Sequence, residues 1–317
     1  MKPTNRAIRP RSDPFAGDDI LARLRAPRKY LPCKLLYDAR GAELFEQICT
    51  LDEYYPYRSE LALLEQHLPE IAAAVGPAAR VIEPGSGAGR KTRMLLTALE
   101  RPSTYIPIDV SAEQLATTAR ELRAAYDGLE VLPIAGDYTQ RLVLPPARHA
   151  GRSLVFFPGS TIGNFEPEDA ASFLARFALL AGAGASIVLG ADSNDNPDEL
   201  VRAYDDAQGV TAAFDLNVLA HVNRTHAATF DLGAFMHRAV WNAAHHRIEM
   251  HLVSRRRQVV EVSGEPIQLE RGEPIITEYC YKHPPDTIAA LLEGSGWHVR
   301  RAFTDPHGRM RLWLADR

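Results

Sequence analysis

A carboxylate followed by three alternating glycines stands at Glu83-Pro84-Gly85-Ser86-Gly87-Ala88-Gly89, and Arg90-Lys91-Thr92-Arg93 then opens an apolar helical run. Glycines so spaced let a backbone turn tightly and approach a ligand without interference from Cβ atoms. Loops that grip a pyrophosphate usually read GxGxxG, whereas a form opened by an acid, ExGxGxG, suits a sulfonium nucleoside with an amino-acid tail. The cofactor expected is therefore S-adenosylmethionine, held by Glu83, Gly85 and Gly87. Asp109, in Tyr105-Ile-Pro-Ile-Asp109, and Asp137, in Pro133-Ile-Ala-Gly-Asp137, extend the pattern. A carboxylate at the end of a second strand can accept from both ribose hydroxyls, and one after a third strand from the adenine amino group. The plain alternatives are that Asp109 caps a helix starting near Ser111 and that Asp137 belongs to a turn. Taken singly those alternatives carry more weight; the order and spacing of all three signals favour the cofactor. Lys91, at a helix start where a cation gains nothing from the helix dipole, either reaches the cofactor carboxylate or is an ordinary exposed lysine.

Such a site needs strand ends gathered at one edge. From about Arg80 to Asp195 short apolar runs alternate with amphipathic stretches, which predicts parallel strands joined by crossover helices. Strands are expected at Ala79–Glu83, Thr104–Asp109, Glu130–Ile134, Ser153–Phe157 and Ser186–Ala191, with helices from Ser59 to Val75 and after Pro167. Beyond Asn196-Pro197 the pattern changes to a helix near Asp198–Ala207 and an irregular stretch to about Trp241. Strand-like segments then follow at Arg247–Val253, Gln258–Val262 and Ile275–Lys282. A helix from Pro285 to Glu293 and a hairpin of His298–Thr304 with Met310–Ala315 close the chain. The expected fold is α/β, a Rossmann-like class I methyltransferase sheet with a second, smaller antiparallel-rich domain. Residues 60–195 plus 286–317 would bind the cofactor and 15–59 plus 196–285 would recognise the substrate, with 1–14 a partly ordered tail.

A chain of 317 residues with 46% hydrophobic content can bury a catalytic core and a further subdomain. A net charge of -4 gives no general reason to bind nucleic acid, so a small molecule is the expected partner. Cys33, Cys49 and Cys280 lack the spacing of a metal site or a disulfide framework, and no metal is expected. The polar, Arg/Pro-rich start lacks the apolar segment of a signal peptide, and no later run has the length of a membrane span. A cytoplasmic monomer is expected.

Further segments carry a family resemblance. Phe156-Phe-Pro-Gly159-Ser-Thr161-Ile-Gly163-Asn164-Phe165, Tyr37-Asp-Ala-Arg-Gly41, Glu53-Tyr54-Tyr55-Pro56, Tyr204-Asp-Asp206, Thr211-Ala-Ala-Phe214-Asp-Leu-Asn217, Arg247-Ile-Glu-Met250 and Thr277-Glu278 occur in order. Together they make nearly the whole chain resemble the L-histidine Nα-methyltransferases of ergothioneine biosynthesis. That resemblance implies three successive methyl transfers from S-adenosylmethionine to the α-amino group of histidine, giving hercynine. It implies Tyr37, Gly85, Lys91, Asp109, Asp137 and Tyr138 around the cofactor. Around the substrate it implies Tyr54, Gly159, Asn164 and Tyr204 at the amino and carboxylate groups, with Glu278 and residue 280 at the imidazole. Thr161 and Met250, in the same motifs, join the substrate set, and Phe214 is a candidate wall. Tyr54, Asn164 and Tyr204 would orient the reacting amine, with the register of Tyr54 against Tyr55 left open.

Glu278 and Cys280 alternate with Tyr279 on an expected strand, so they share a face. The family pattern usually has serine where Cys280 stands, and a thiol is the weaker hydrogen-bond partner. Cys280 reads equally as a small buried hydrophobe. Pro84 replaces a commoner aliphatic residue without removing the carboxylate or the glycines. His245-His246 reads as exposed polarity and Arg255-Arg256-Arg257 as a hairpin tip. Two competing functions remain: an N-methyltransferase of the same family acting on another aromatic amino acid or a modified histidine, and a non-catalytic S-adenosylmethionine-binding module.

Overall fold

The computed structural model describes residues 20–317 except Ala88, His149 and Ala150, so the expected tail at 1–14 lies outside the described residues. The chain begins with α1 (Ile20–Arg25), a 3-10 turn at Cys33–Tyr37, α2 (Ala39–Ile48) and α3 (Tyr55–Val75). Asp38 caps α2 by accepting from the Gly41 N–H, and Pro56 lies in the first turn of α3, where its missing N–H would have had no helical partner. There follow β1 (Arg80–Pro84), α4 (Arg90–Ala98), β2 (Thr104–Asp109), α5 (Ala112–Ala125), β3 (Glu130–Val131), β4 (Ile134–Ala135), β5 (Ser153–Phe157), α6 (Pro167–Ala181) and β6 (Ser186–Asp192). Next come α7 (Pro197–Tyr204), α8 (Val210–Thr225), β7 (Phe235–Asn242), β8 (Arg247–Ser254), β9 (Gln258–Val262), β10 (Glu265–Leu269) and β11 (Pro274–Tyr281). The chain closes with α9 (Pro285–Gly294), β12 (His298–Thr304) and β13 (Met310–Asp316).

The main sheet runs β12-β13-β6-β5-β1-β2-β3, with β4 also paired to β2. Strands β1 to β6 are parallel where they pair, and β13 lies antiparallel between β6 and β12. Both faces of the parallel part are covered, which explains its continuous apolar runs. Val81, Leu154 and Val188 turn toward α3 and α4, while Ile82, Val155 and Ile187 turn toward α6 and Trp297. Strand order reverses between β1 and β5, so the ends of those strands open a crevice.

A third apolar core joins the N-terminal helices to α7, α8 and the antiparallel strands, from Leu24, Leu36 and Leu44 to Phe214, Met250 and Cys280. Its sheet is β11-β8-β7, with β9 and β10 a separate hairpin. The N-terminal segment is stitched to β11 by the Leu31 N–H on the Ile276 carbonyl at 2.7 Å and by the Ile276 N–H on the Lys29 carbonyl at 2.9 Å.

Three expectations about local structure are corrected. The stretch read as irregular up to Trp241 contains α8 and most of β7. Polar Asp215, Asn217 and His221 lie among the buried positions of α8, which blurs its amphipathic period. The strand expected at Glu130–Ile134 is split into β3 and β4, with exposed Pro133 at the break, since proline cannot donate to a ladder. Strand β10 was missed, although Ser263-Gly264, both at positive φ, form the two-residue turn that pairs it with β9.

The two halves touch where the 3-10 turn Thr161–Asn164 packs on β11. A Cβ on Gly163 would stand 2.6 Å from the Tyr281 carbonyl oxygen and 3.5 Å from Cys280 Sγ. Backbone cannot swing aside as a side-chain tip can. Gly163→Ala should therefore lower unfolding free energy by roughly 1–3 kcal/mol. A denaturation midpoint equal to that of the parent chain would show that the junction is looser than its contacts require.

Candidate active site at the carboxyl edge of the sheet

The glycine loop leaves β1 at the edge of the crevice, with Gly85, Gly87 and Gly89 all at positive φ. A Cβ at Gly85 would press to 3.3 Å from the Tyr138 ring, so the loop and Tyr138 form one closely packed wall. Asp109, at the end of β2, accepts from the Gly87 N–H at 3.3 Å and the Ser111 N–H at 3.1 Å. Ser111, not Asp109, caps α5, its hydroxyl accepting from the Gln114 N–H at 3.3 Å. Asp109 thus ties the glycine loop to the second strand. Burial lifts its carboxyl above the usual range, against the pull of those N–H groups.

Asp137 follows β4 and accepts from the Thr139 N–H at 2.8 Å and hydroxyl at 2.5 Å, which is the expected turn. It also takes a salt bridge from Lys34 at 3.0 Å, so the N-terminal segment reaches over this edge. Burial opposes its ionisation, but Thr139 and the Lys34 ammonium outweigh burial and hold the Asp137 carboxyl below its ordinary range. Glu83 is turned inward, where the hydroxyls of Thr92 and Tyr105 donate to it at 2.8 and 2.6 Å. Burial raises its pKa to about 7. Glu83 therefore braces β1 against α4 and β2.

Lys91 bonds to Glu60 of α3 and lies 4.9 Å from the Tyr57 ring centre. Glu60 is fully buried and also accepts from the Gly159 N–H at 2.7 and 2.8 Å. This carboxylate escaped the sequence reading, although it lies on the apolar stripe with Leu64 and Leu68, where a lone acid needs donors. Lys34, Asp192 and Lys282 were likewise missed.

The residues expected around a substrate fall into one neighbourhood. Asn164 Nδ2 donates to Glu278 Oε1 at 2.8 Å, joining the turn after β5 to β11. Tyr204, at the end of α7, puts its hydroxyl 3.0 Å from Cys280 Sγ, and its ring meets the half-buried Tyr54 ring edge-on at 5.9 Å. Tyr54 also contacts Phe45, while Tyr37 packs on Phe45 and Phe214 at 5.6 and 5.5 Å. Tyr55 is spent elsewhere, its hydroxyl donating to Asp192 at 2.6 Å. Met250 pairs with Glu278 across β8 and β11. The Thr161 hydroxyl turns back to the Pro158 carbonyl at 3.1 Å, inside its own turn. Cys280 is buried, yet it makes polar contacts that a plain hydrophobe would not. His245-His246 and Arg255-Arg256-Arg257 are exposed. One surface groove lined by Glu65, Leu68 and Met94 and another lined by Arg80, Leu142 and Leu180 contain none of the substrate-site residues.

Burial pushes the phenols of Tyr37, Tyr54 and Tyr204 well above their ordinary range, so all three stay neutral hydroxyls. Burial also lifts Glu278 to about 7, with the Asp215 charge adding to the shift and Lys282 and Asn164 opposing it. Behind the pocket, the His237 ring stands 2.7 Å from Asp215 by Nδ1 and 2.8 Å from the Tyr204 carbonyl by Nε2. Both partners are acceptors, so both ring nitrogens carry protons. Burial works against that charge, but Asp215 prevails and the His237 pKa is raised.

A cofactor with a ribose, an adenine and an α-amino acid tail fits this donor set. Asp109 and Asp137 offer carboxylates at adjacent strand ends, the glycine loop leaves its backbone open to close approach, and Lys91 supplies a cation beside Gly159.

The sequence profile of a family described as histidine-specific, SAM-dependent methyltransferase matches residues 16–317. The chain is 44% identical over 304 residues to a histidine N-alpha-methyltransferase of Mycolicibacterium smegmatis, covering 94% of each chain. It is 42% identical to the histidine N-alpha-methyltransferase of Mycobacterium tuberculosis, covering 94% of this chain and 93% of that one. Among solved structures, an S-adenosylmethionine-dependent methyltransferase from Clostridium acetobutylicum superposes with a TM-score of 0.50 at 9% identity, over 87% of this chain and 97% of that one, a likeness of fold alone.

Replacing His237 by glutamine breaks a buried pair, which costs roughly 3–5 kcal/mol. The stabilisation from a raised histidine pKa is complete below its unfolded value of about 6.5 and fades as pH rises through the folded one. The stability gap between the parent chain and His237→Gln should accordingly narrow toward alkaline pH in urea titrations. A gap independent of pH would mean that the ring is neutral.

Proposed function

Since the chain belongs to the histidine-specific, SAM-dependent methyltransferase family, we propose that it transfers three methyl groups in succession to the α-amino group of L-histidine. The product would be hercynine, in the first step of ergothioneine biosynthesis. One observation carries the reading to this pocket: Glu278, joined to Asn164 at 2.8 Å, lies on the face of β11 that also presents Cys280 to Tyr204. A carboxylate able to ionise near neutrality accepts an imidazole N–H, which an apolar aromatic ring lacks. That contrast favours histidine over an amino acid with a purely apolar ring.

In this reading Asp109, Asp137, the glycine loop and Lys91 hold the cofactor, with Tyr37 and Tyr138 beside it. Bound S-adenosylmethionine supplies an electrophilic sulfonium methyl, and its transfer leaves a neutral thioether. The protein presents a nitrogen lone pair in line with that methyl. Tyr54 orients the amine by a hydrogen bond, while the Tyr204 hydroxyl is engaged by Lys282 and Cys280. Both phenols stay neutral, so each methylammonium gives its proton to solvent before the next transfer. Rate enhancement then rests on holding the deprotonated amine in place. Rings of Tyr54, Tyr204 and Phe45 give the growing cationic nitrogen polarisable faces, so partly methylated intermediates stay bound. Residues 60–195 with 286–317 act as the cofactor unit and 15–59 with 196–285 as the substrate unit. No described helix is long and apolar enough to cross a membrane, and the reading takes the chain as a cytoplasmic monomer.

Purified protein incubated with S-adenosylmethionine and the twenty amino acids should yield a histidine heavier by three methyl groups in mass spectra. Transfer only to another amino acid would overturn the substrate, and binding without transfer would leave a cofactor-binding module. The contribution of Glu278 has a pH signature. Ionised Glu278 accepts better than the protonated acid, so the advantage in kcat/KM of the parent chain over Glu278→Gln should be ~10-fold in mildly alkaline buffer. It should shrink as pH falls through about 7. Comparing the two proteins at each pH cancels the titration of the free substrate.

A further inference from the structure

The floor of the substrate pocket is a chain of buried polar groups. Lys282, just beyond β11, forms a salt bridge with Asp192 at 2.9 Å, and neither side chain has any exposed surface. The same ammonium donates to Tyr204 Oη at 2.8 Å and to Cys280 Sγ at 3.3 Å. Tyr55 donates to the same Asp192 oxygen, Oδ2, at 2.6 Å. Burial alone would strip the lysine of its proton, but the Asp192 carboxylate outweighs it and Lys282 stays charged.

A lysine ammonium has three N–H donors and no acceptor. Here each N–H has a partner: Asp192, Tyr204 and Cys280. Tyr204 and Cys280 therefore each accept from below, and they also face each other at 3.0 Å. Only one hydrogen fits between them. If the phenol O–H points to sulfur, the thiol S–H remains; if the S–H points to oxygen, the O–H remains. Either way the pair offers one donor to a third group. Two residues earlier on the strand, Glu278 offers an acceptor. One acceptor and one donor side by side complement a neutral imidazole, which has one N–H and one bare nitrogen.

We infer that Lys282 is a positioning residue for substrate recognition, whose buried ammonium makes the Tyr204–Cys280 pair a hydrogen-bond donor and so sets the pocket for a neutral imidazole ring. The inference rests on the histidine reading and deepens it. A buried ion pair seldom raises stability over an apolar pair of the same volume, so a role in recognition accounts for this one better than a role in folding. It also explains how a thiol serves at position 280: sulfur is a weak partner by itself, but with the cation donating to both Tyr204 and Cys280 the pair presents a hydrogen whichever of the two carries it.

The test is Lys282→Met, alone and with Asp192→Asn, so that one variant leaves no unpaired buried carboxylate. Steady-state kinetics with L-histidine and L-phenylalanine and calorimetric titration with S-adenosylmethionine give the readouts. KM for histidine should rise ~10-fold or more from loss of a charge-ordered hydrogen bond. Cofactor affinity should be unchanged, and the preference for histidine over phenylalanine should fall by a similar factor. An unchanged histidine KM and preference in a folded variant would overturn the inference and leave the histidine reading intact. Parallel loss of cofactor and histidine binding would also overturn it, by showing a purely structural role. If the parent chain itself does not methylate histidine, the reading and the inference fall together.

Discussion

The Glu60 carboxylate, withdrawn wholly from water in the first turns of α3, needs donors, and the two that meet it are the Lys91 ammonium and the Gly159 N–H. One buried charge thereby fixes a helix that precedes the sheet, the helix that follows the glycine loop and the turn that leaves β5. Those three elements border the crevice between β1 and β5. An unmatched carboxylate at this depth would cost several kcal/mol, so the crevice cannot relax without breaking the set. Strand β6 comes equally near: a Cβ on Gly190 would stand 1.8 Å from Glu60 Oε1.

From that anchor the turn after β5 runs to Asn164, and Asn164 meets Glu278 from the antiparallel sheet. A second bridge lies just outside it, where Arg247 bonds to Glu166 at 3.3 Å and to the Tyr281 hydroxyl at 2.5 Å. The two sheets are thus registered by polar contacts at the pocket itself, while their apolar cores remain separate. A ligand lying between a rigid crevice and a registered second layer is held in one orientation, which methyl transfer to a single nitrogen demands.

Charge at the site is matched inside the protein rather than by solvent. Lys282 is balanced by Asp192, His237 by Asp215 and Lys34 by Asp137. The tyrosines remain neutral because burial disfavours the phenolate. What is left to respond to a ligand is Glu278, poised near neutrality by burial and by the nearby Asp215 charge.

The sequence by itself determined the alternating strands and helices, the acid-opened glycine loop, Asp109 and Asp137 at successive strand ends, and the closing hairpin. Each of these depends on neighbours within a few positions, where periodicity and turn chemistry are written directly. The family resemblance also implied Tyr54, Asn164, Tyr204, Glu278 and Cys280, residues that the fold gathers from four distant segments. It could not tell that Glu83 braces β1 from within, that Lys91 answers to Glu60, or that Lys282 and Asp192 underlie Cys280. Those assignments depend on which charges lose their water together, and partners such as Asp192 and Lys282 meet only after the two sheets have packed. The tertiary structure alone decides them, because the cost of desolvating a charge is set by three-dimensional surroundings and not by sequence neighbours.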